Sequence, residues 1–255
     1  MDVVAGKNYP KLVKRALRRT KHVILAWVYR GSERYCPVCE NSASKFLEYG
    51  ATKRKDAECI YCGSLERHRL LWIFLTHKTD LMRPASRRLL HIAPEPCLGL
   101  KLQHLYDGNY LSADIEPGVA MECMDITEIQ FDDNSFDIIF CSHVLEHVPE
   151  DKKALSELYR VLKPGGWAII LVPIEGERTI EDPAISTPED RIKAYGQADH
   201  VRQYGRRDYM QMLKQQGLTV NAISPDDMSS PTEVIRFGMS SNAGEIFYCE
   251  KKKAL

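Results

Sequence analysis

From residue 87 onward, short apolar runs alternate with stretches of mixed polarity. The runs are Leu89-Leu90-His91-Ile92-Ala93, Tyr110-Leu111-Ser112-Ala113, Phe136-Asp137-Ile138-Ile139-Phe140 and Trp167-Ala168-Ile169-Ile170-Leu171-Val172. Brief, near-continuous apolar segments bounded by polar residues predict buried strands. Between the last two, Asp151 to Leu162 places Leu155, Leu158, Val161 and Leu162 on one helical face. Lys163-Pro164-Gly165-Gly166 should stop that helix sharply. Leu218 to Ile223 and Glu245 to Cys249 read as two further strands. Strand and helix signals in alternation imply a mostly parallel sheet covered on both faces.

The N-terminal third has a different rhythm. Residues 1–34 form a basic segment, with Lys7, Lys11, Lys14, Arg15, Arg18, Arg19 and Lys21 against a lone Asp2. Leu12, Ala16 and Leu17 would share one side of a helix there. Such a helix either packs on the body by its few apolar residues or meets an acidic partner or an anionic membrane surface. Residues 35–63 carry little apolar periodicity. Ser64 then reads as the N-cap of an apolar helix from Leu65 to Thr76, in which Leu65, Leu70, Leu71, Ile73 and Phe74 suit burial against a larger body. A module over 35–80 and a larger domain over 81–255 are thus expected.

Length and charge narrow the function classes. A chain of 255 residues is ample for one well-buried core. Its formal net charge of zero argues against a general nucleic-acid coat, though not against a local basic patch. The apolar stretch from Val23 to Tyr29 is far short of the ~20 residues that span a bilayer. A cytoplasmic location is expected from this and from the cysteine usage.

Four of the eight cysteines form two pairs, Cys36-Pro37-Val38-Cys39 and Cys59-Ile60-Tyr61-Cys62. Two cysteines three apart in a tight turn aim both sulfurs at one point, and two such turns complete a tetrahedron around zinc. The alternative is a pair of reduced or redox-active dithiols. Four cysteine ligands leave no open position, so a catalytic zinc is not expected.

Phe136 to Val148, reading F-D-I-I-F-C-S-H-V-L-E-H-V, is followed by Leu158-Tyr159-Arg160-Val161-Leu162-Lys163-Pro164-Gly165-Gly166. Upstream stand Met124 to Phe131 and Asp133-Asn134-Ser135. In this order the motifs resemble the class I S-adenosylmethionine (SAM)-dependent methyltransferases, especially the large group called type 11, over roughly residues 87–223. The resemblance implies a Rossmann-like, doubly wound, mostly parallel sheet with an antiparallel last strand, and SAM as cofactor. It implies Asp114, with Ile115 beside it, for the ribose hydroxyls, and Asp125 with Ile126 for the adenine. It further implies that Cys141, Ser142 and His143 border the methionine moiety, because ligands of such folds lie beyond the carboxyl ends of the strands.

The first loop departs from the family. D-x-G-x-G is expected after the first strand, where this chain has His91-Ile92-Ala93-Pro94-Glu95-Pro96-Cys97. The glycines normally allow close approach of backbone to ligand, and the prolines remove N–H donors. Ala93 and Glu95 remain the cofactor-facing residues of this loop, Glu95 for the ammonium or sulfonium charge. The departure also leaves open a degenerate fold that serves as a binding protein.

For the acceptor side, Tyr195 to Gly205, reading Y-G-Q-A-D-H-V-R-Q-Y-G, follows the fifth strand after a long polar insertion. His200 is the candidate general base, with Asp199 as its partner and His143 and His147 as rivals. Arg202 is a candidate anion clamp, Tyr204 a further substrate contact, and Gly196 and Gly205 candidate hinges. The alternative is a polar turn bonded to its own backbone. His147, taken as one helical turn beyond His143, reads as structural. Glu66-Arg67-His68-Arg69 would pack the cysteine module on the larger domain, with Arg67 and His68 reaching the acceptor. The expected partner is a small-molecule, sugar or lipid-linked acceptor methylated on oxygen or nitrogen. RNA is the less favoured one.

Overall fold

A computed structural model describes residues 24–50, 52–239 and 243–253. The basic residues from Lys7 to Lys21, with Leu12, Ala16 and Leu17, lie outside the described residues. The cysteine segment folds as two small hairpins. Strands β1 (Arg34–Cys36) and β2 (Asn41–Ala43) pair antiparallel, as do β3 (Leu47–Tyr49) and β4 (Arg54–Glu58). Helix α1 (Glu66–Lys78) follows.

The helix begins one residue later than the sequence suggests. Leu65, not Ser64, holds the N-cap position, and its N–H donates to His68 Nδ1 at 3.1 Å. The Ser64 hydroxyl instead lies 3.1 Å from Cys36 Sγ and 3.2 Å from Cys62 Sγ. A hydroxyl can serve either a helix end or a sulfur, and here the sulfurs hold it. The expected apolar positions of α1 are all buried, and Phe74 meets Tyr248 edge-on with ring centroids 5.3 Å apart. The apolar core therefore runs unbroken from Val38, Phe46 and Cys59 through α1 into the sheet.

That sheet has seven strands: β5 (Leu89–Ile92), β6 (Tyr110–Asp114), β7 (Glu122–Cys123), β8 (Phe136–Ser142), β9 (Leu162–Leu171), β10 (Leu218–Ile223) and β11 (Ile246–Lys251). Their order is β10-β11-β9-β8-β5-β6-β7. The strands from β7 to β9 are parallel, whereas β11 runs antiparallel to both β9 and β10. All four residues of β5 are buried, as a strand covered on both faces requires. Helices α2 (Pro96–Tyr106), α3 (Asp151–Val161), α4 (Pro188–Tyr195), α5 (Arg206–Gln215) and α6 (Pro231–Arg236) complete the chain. The expected face of α3 is buried through Leu155, Leu158 and Val161.

Strand β9 starts at Leu162, so Pro164-Gly165-Gly166 belongs to a strand entry rather than a separate stop. A Cβ at Gly166 would stand 2.7 Å from Asp137 O, so only glycine lets β9 approach β8 this closely. From β5 the chain winds out to β6 on one side, and β8 lies on the other. This is the switch point where doubly wound sheets open a crevice. Among the described residues no helix is long and apolar enough to cross a membrane.

Candidate active site

Beyond the carboxyl ends of these strands lies a crevice of about 610 Å³. Ala93, Asp114, Ile115, Asp125, Ile126 and His143 all line it. Each acid uses one oxygen in its own turn. Asp114 Oδ1 accepts from Glu116 N and Asp125 Oδ1 from Thr127 N, both at 2.8 Å. The other oxygen of each makes no hydrogen bond among the described residues. Ile115 is 67% exposed, an apolar surface available to a flat ring.

The first loop keeps the shape that a glycine would take. Ala93 has φ +47, in the left-handed region, and its N–H donates to Ala113 O at 2.8 Å. An L-residue there costs on the order of 1–2 kcal/mol. Pro96 fills the first turn of α2, where a missing N–H is harmless.

Three expected cofactor contacts, Glu95, Cys141 and Ser142, are absent from the crevice lining, and Cys141 is fully buried within β8. Glu95 turns back to the buried His91 ring, with Oε2 3.0 Å from Nε2, and its Oε1 lies 3.7 Å from His68 Nε2. Ser142 is buried at the end of β8. Burial would raise the Glu95 pKa, but the hydrogen bond and charge of His91, with His68 nearby, hold it down to about 2. Glu95 Oε1 and Ser142 Oγ are both buried without a hydrogen-bond partner. Two acceptor oxygens beyond the strand ends and an apolar ring surface suit a ligand with a sugar and a base.

A second cavity, of about 910 Å³, adjoins the first. Tyr49, Arg54 and Arg67 of the cysteine module wall one side. His143, Glu146 and His147 wall another, and Gln197 and His200 a third. His143 and His147 line both cavities. The His143 backbone has φ +57, a strained conformation of the kind that collects at functional sites. Its Nδ1 lies 3.2 Å from Glu146 Oε1. An ionised carboxylate only accepts, so Nδ1 carries the proton and Nε2 keeps its lone pair.

Several expected acceptor residues have other duties. Arg202 is 1% exposed, and its guanidinium donates to Leu145 O, Val148 O, Pro149 O and Glu181 Oε1. Both terminal nitrogens are thus engaged, and the buried Nε, 3.5 Å from Asp151 Oδ2, faces the protein, so the group braces the loop rather than lining the cavity. The Tyr204 hydroxyl is buried and donates to Asp151 Oδ2 at 2.6 Å. Asp199 does not support His200. Its carboxylate, 70% exposed, pairs with His147 Nδ1 at 3.3 Å and lines the first crevice. His68 lies buried beside Glu95 and Cys97 and does not line the second cavity. Gly205 is no hinge, since a Cβ there would fall within 2.4 Å of the Glu177 and Arg178 backbone.

His200 does line the acceptor cavity. It is buried, which pushes its pKa below the usual histidine value, and its ring meets that of His147 at 4.8 Å between centroids. Arg67 also lines the cavity, and its guanidinium makes no hydrogen bond or ion pair among the described residues. Arg69 shows why. It takes the packing role instead, donating to Ser64 O at 2.6 Å and Gly238 O at 2.8 Å beneath the module. Sequence reasoning ranked His147 as a rival base but read it as structural, and it missed Tyr49 and Arg54. The basic run Lys53-Arg54-Lys55, at the start of β4, was the one signal for Arg54.

The four cysteine sulfurs converge. Cys36 Sγ to Cys62 Sγ and Cys39 Sγ to Cys59 Sγ are each 3.7 Å, and all four lie within 4.8 Å of one another. A tetrahedron with zinc–sulfur bonds of about 2.3 Å has edges of about 3.8 Å. Disulfide bonds would need sulfurs about 2 Å apart.

Residues 102–170 match the family model described as Methyltransferase domain. Phosphoethanolamine N-methyltransferase 2 of Caenorhabditis elegans is 44% identical over 66 residues, 26% of this chain and 13% of that protein. The tRNA U34 carboxymethyltransferase of Nautilia profundicola is 34% identical over 100 residues, 36% of this chain and 32% of that protein. The match thus spans less than a third of either relative. The crystal structure of an S-adenosylmethionine dependent methyltransferase from Mesorhizobium loti aligns with a TM-score of 0.50 at 11% identity, covering 71% of this chain and 98% of that one. At that identity the likeness establishes the fold, a Rossmann-like methyltransferase fold. Within that fold, residues 102–170 are similar to the methyltransferase-domain family.

Proposed function

We propose that the chain transfers a methyl group from SAM to an oxygen or nitrogen of a small-molecule or glycan acceptor held in the 910 Å³ cavity. The observation that carries this reading is the shared wall: His143 and His147 face both the crevice and the acceptor cavity. A methyl donor on one side and a nucleophile on the other would meet there. SAM, when bound, supplies a methyl group on a cationic sulfur, so the protein's main task is alignment. Asp114 would accept from the ribose hydroxyls and Asp125 from the adenine amino group, with Ile115 against the ring. His143 Nε2 is placed to take the proton that an oxygen or nitrogen nucleophile gives up. The uncommitted Arg67 supports an acceptor that bears a carboxylate or phosphate.

Cys36, Cys39, Cys59 and Cys62 would hold one structural zinc ion, with the Ser64 hydroxyl against two of the sulfurs and Arg69 offsetting the cluster's negative charge. In this reading the module shapes one wall of the acceptor cavity and takes no part in transfer. Calorimetric titration with SAM and S-adenosylhomocysteine tests the proposal. Saturable one-to-one binding of both is expected. No binding of either to zinc-replete protein would leave a fold that has lost its cofactor and would end this reading.

A further inference from the structure

One cluster in the acceptor cavity is not used by the alignment just described. A carboxylate oxygen of Glu146 and one ring nitrogen each of His147 and His200 lie within 4.8 Å of one another. Glu146 is 1% exposed, and its Oε2 is buried with no hydrogen-bond partner. A carboxylate oxygen left in that state is strongly unfavourable unless a ligand meets it. The other oxygen is held by His143 at 3.2 Å, so the side chain cannot turn away without breaking that contact.

The surroundings of His147 give a second, independent reason. Its Nδ1 faces both Asp199 O and Asp199 Oδ2 at 3.3 Å. Both are acceptors, so Nδ1 carries the proton and Nε2 is left as a donor of its lone pair. A histidine whose far nitrogen is fixed by a carbonyl or carboxylate is the usual arrangement behind a metal ligand.

We infer that Glu146, His147 and His200 form a binding site for one divalent transition-metal ion of the zinc or iron(II) class in the acceptor cavity, separate from the four cysteines. Two imidazoles and one carboxylate suit those ions and leave coordination positions open. Three ligand atoms at about 2.1 Å from one ion stand about 3.0–3.4 Å apart in a facial or tetrahedral arrangement. The three atoms here lie within 4.8 Å of one another, so binding would draw them together by up to about 1.4–1.8 Å, through rotation of the His147 and His200 side chains.

What the ion does rests on the proposed methyl transfer. An acceptor hydroxyl drawn to a divalent cation loses its proton more readily. That proton passes to His143 Nε2 as the oxygen–methyl bond forms and the methyl–sulfur bond breaks. The products are a methyl ether, S-adenosylhomocysteine and protonated His143. The inferred acceptor is thus a hydroxyl compound able to approach the ion, with its anionic end toward Arg67.

Purified reduced full-length protein is dialysed against buffered Zn2+ alone and its zinc counted per chain. Two ions are expected, one in the cysteines and one in the cavity. Glu146→Gln and His147→Ala should each lower the count by one, and the ion that remains reports an intact cysteine module. One ion in the unsubstituted protein, or two in both variants, would overturn the site. Titration with SAM keeps the two readings apart. SAM binding with one zinc overturns the cavity site and leaves methyl transfer standing. Two zincs, of which each variant loses one, without SAM binding, support the site and remove the transfer it was inferred to serve.

Discussion

Replacing Asp114 by asparagine and by alanine separates two jobs of one side chain. Oδ1 accepts from Glu116 N at 2.8 Å and holds the turn after β6, while the other oxygen is free in the crevice. Asparagine keeps a carbonyl oxygen for the turn but presents an amide N–H2 where a ribose hydroxyl would donate. Alanine removes both. A hydrogen bond to a charged group is worth about 1.5–3 kcal/mol, so Asp114→Asn should weaken binding roughly tenfold to a hundredfold. Its melting temperature should stay near that of the parent. Asp114→Ala should show the same loss of affinity and also melt about 2–4 °C lower, since a turn bond contributes about 1 kcal/mol. Calorimetry with S-adenosylhomocysteine and a thermal melt measure the two effects. If Asp114→Asn binds within twofold of the parent, the carboxylate only caps its own turn and the ribose lies elsewhere.

Three further outcomes follow from the geometry. Cys36→Ser should lower the zinc count by one and destabilise the fold, because metal binding and folding are coupled; an unchanged count by metal analysis would refute the four-sulfur site. Tyr204→Phe removes the hydroxyl on Asp151 and should cost about 1–3 kcal/mol in denaturant unfolding, with SAM affinity intact; the reverse pattern would restore Tyr204 to ligand binding. The His68 pKa is held down to about 3, by burial first and by the Arg67 charge second. The unfolded chain takes up that proton near 6.5. Stability should therefore be full above pH 6.5 and fall as pH drops toward 3, by on the order of a few kcal/mol over the whole window. His68→Gln should flatten the stability–pH curve between those limits, and an unchanged slope would show that His68 is not the titrating group.

Much of the scaffold was legible because its signals are local and directional. Strands buried on both faces must be apolar along their length, as β5 and β8 are. An acid that ends a parallel strand must sit at the crevice, which places Asp114 and Asp125. Cysteine spacing encodes its own geometry. What failed depended on where a side chain points. Arg202 and Tyr204 read the same whether they face a ligand or brace the loop beneath it, and only the carbonyls of Leu145, Val148 and Pro149 decide. His147 was judged on helical spacing from His143, but Leu145–His147 is a 3-10 turn, so the spacing did not apply. Helix α4 did have a sign that went unused: Thr187 caps it, Pro188 starts it and Glu189-Asp190 fill its first turn. The acceptor cavity is the least legible part, because residues near 50, 145, 200 and 245 build it together.

The partition between the two cavities also constrains their energetics. His143 and His147 belong to both, so neither cavity can be reshaped alone. If occupancy of the crevice turns either ring, acceptor affinity changes by some factor, and the acceptor must change cofactor affinity by that same factor. The wall thus makes the two sites thermodynamic partners. An acceptor that binds more tightly after the methyl donor will also slow the donor's escape. Under the proposed transfer, that would favour one order of addition without any moving lid.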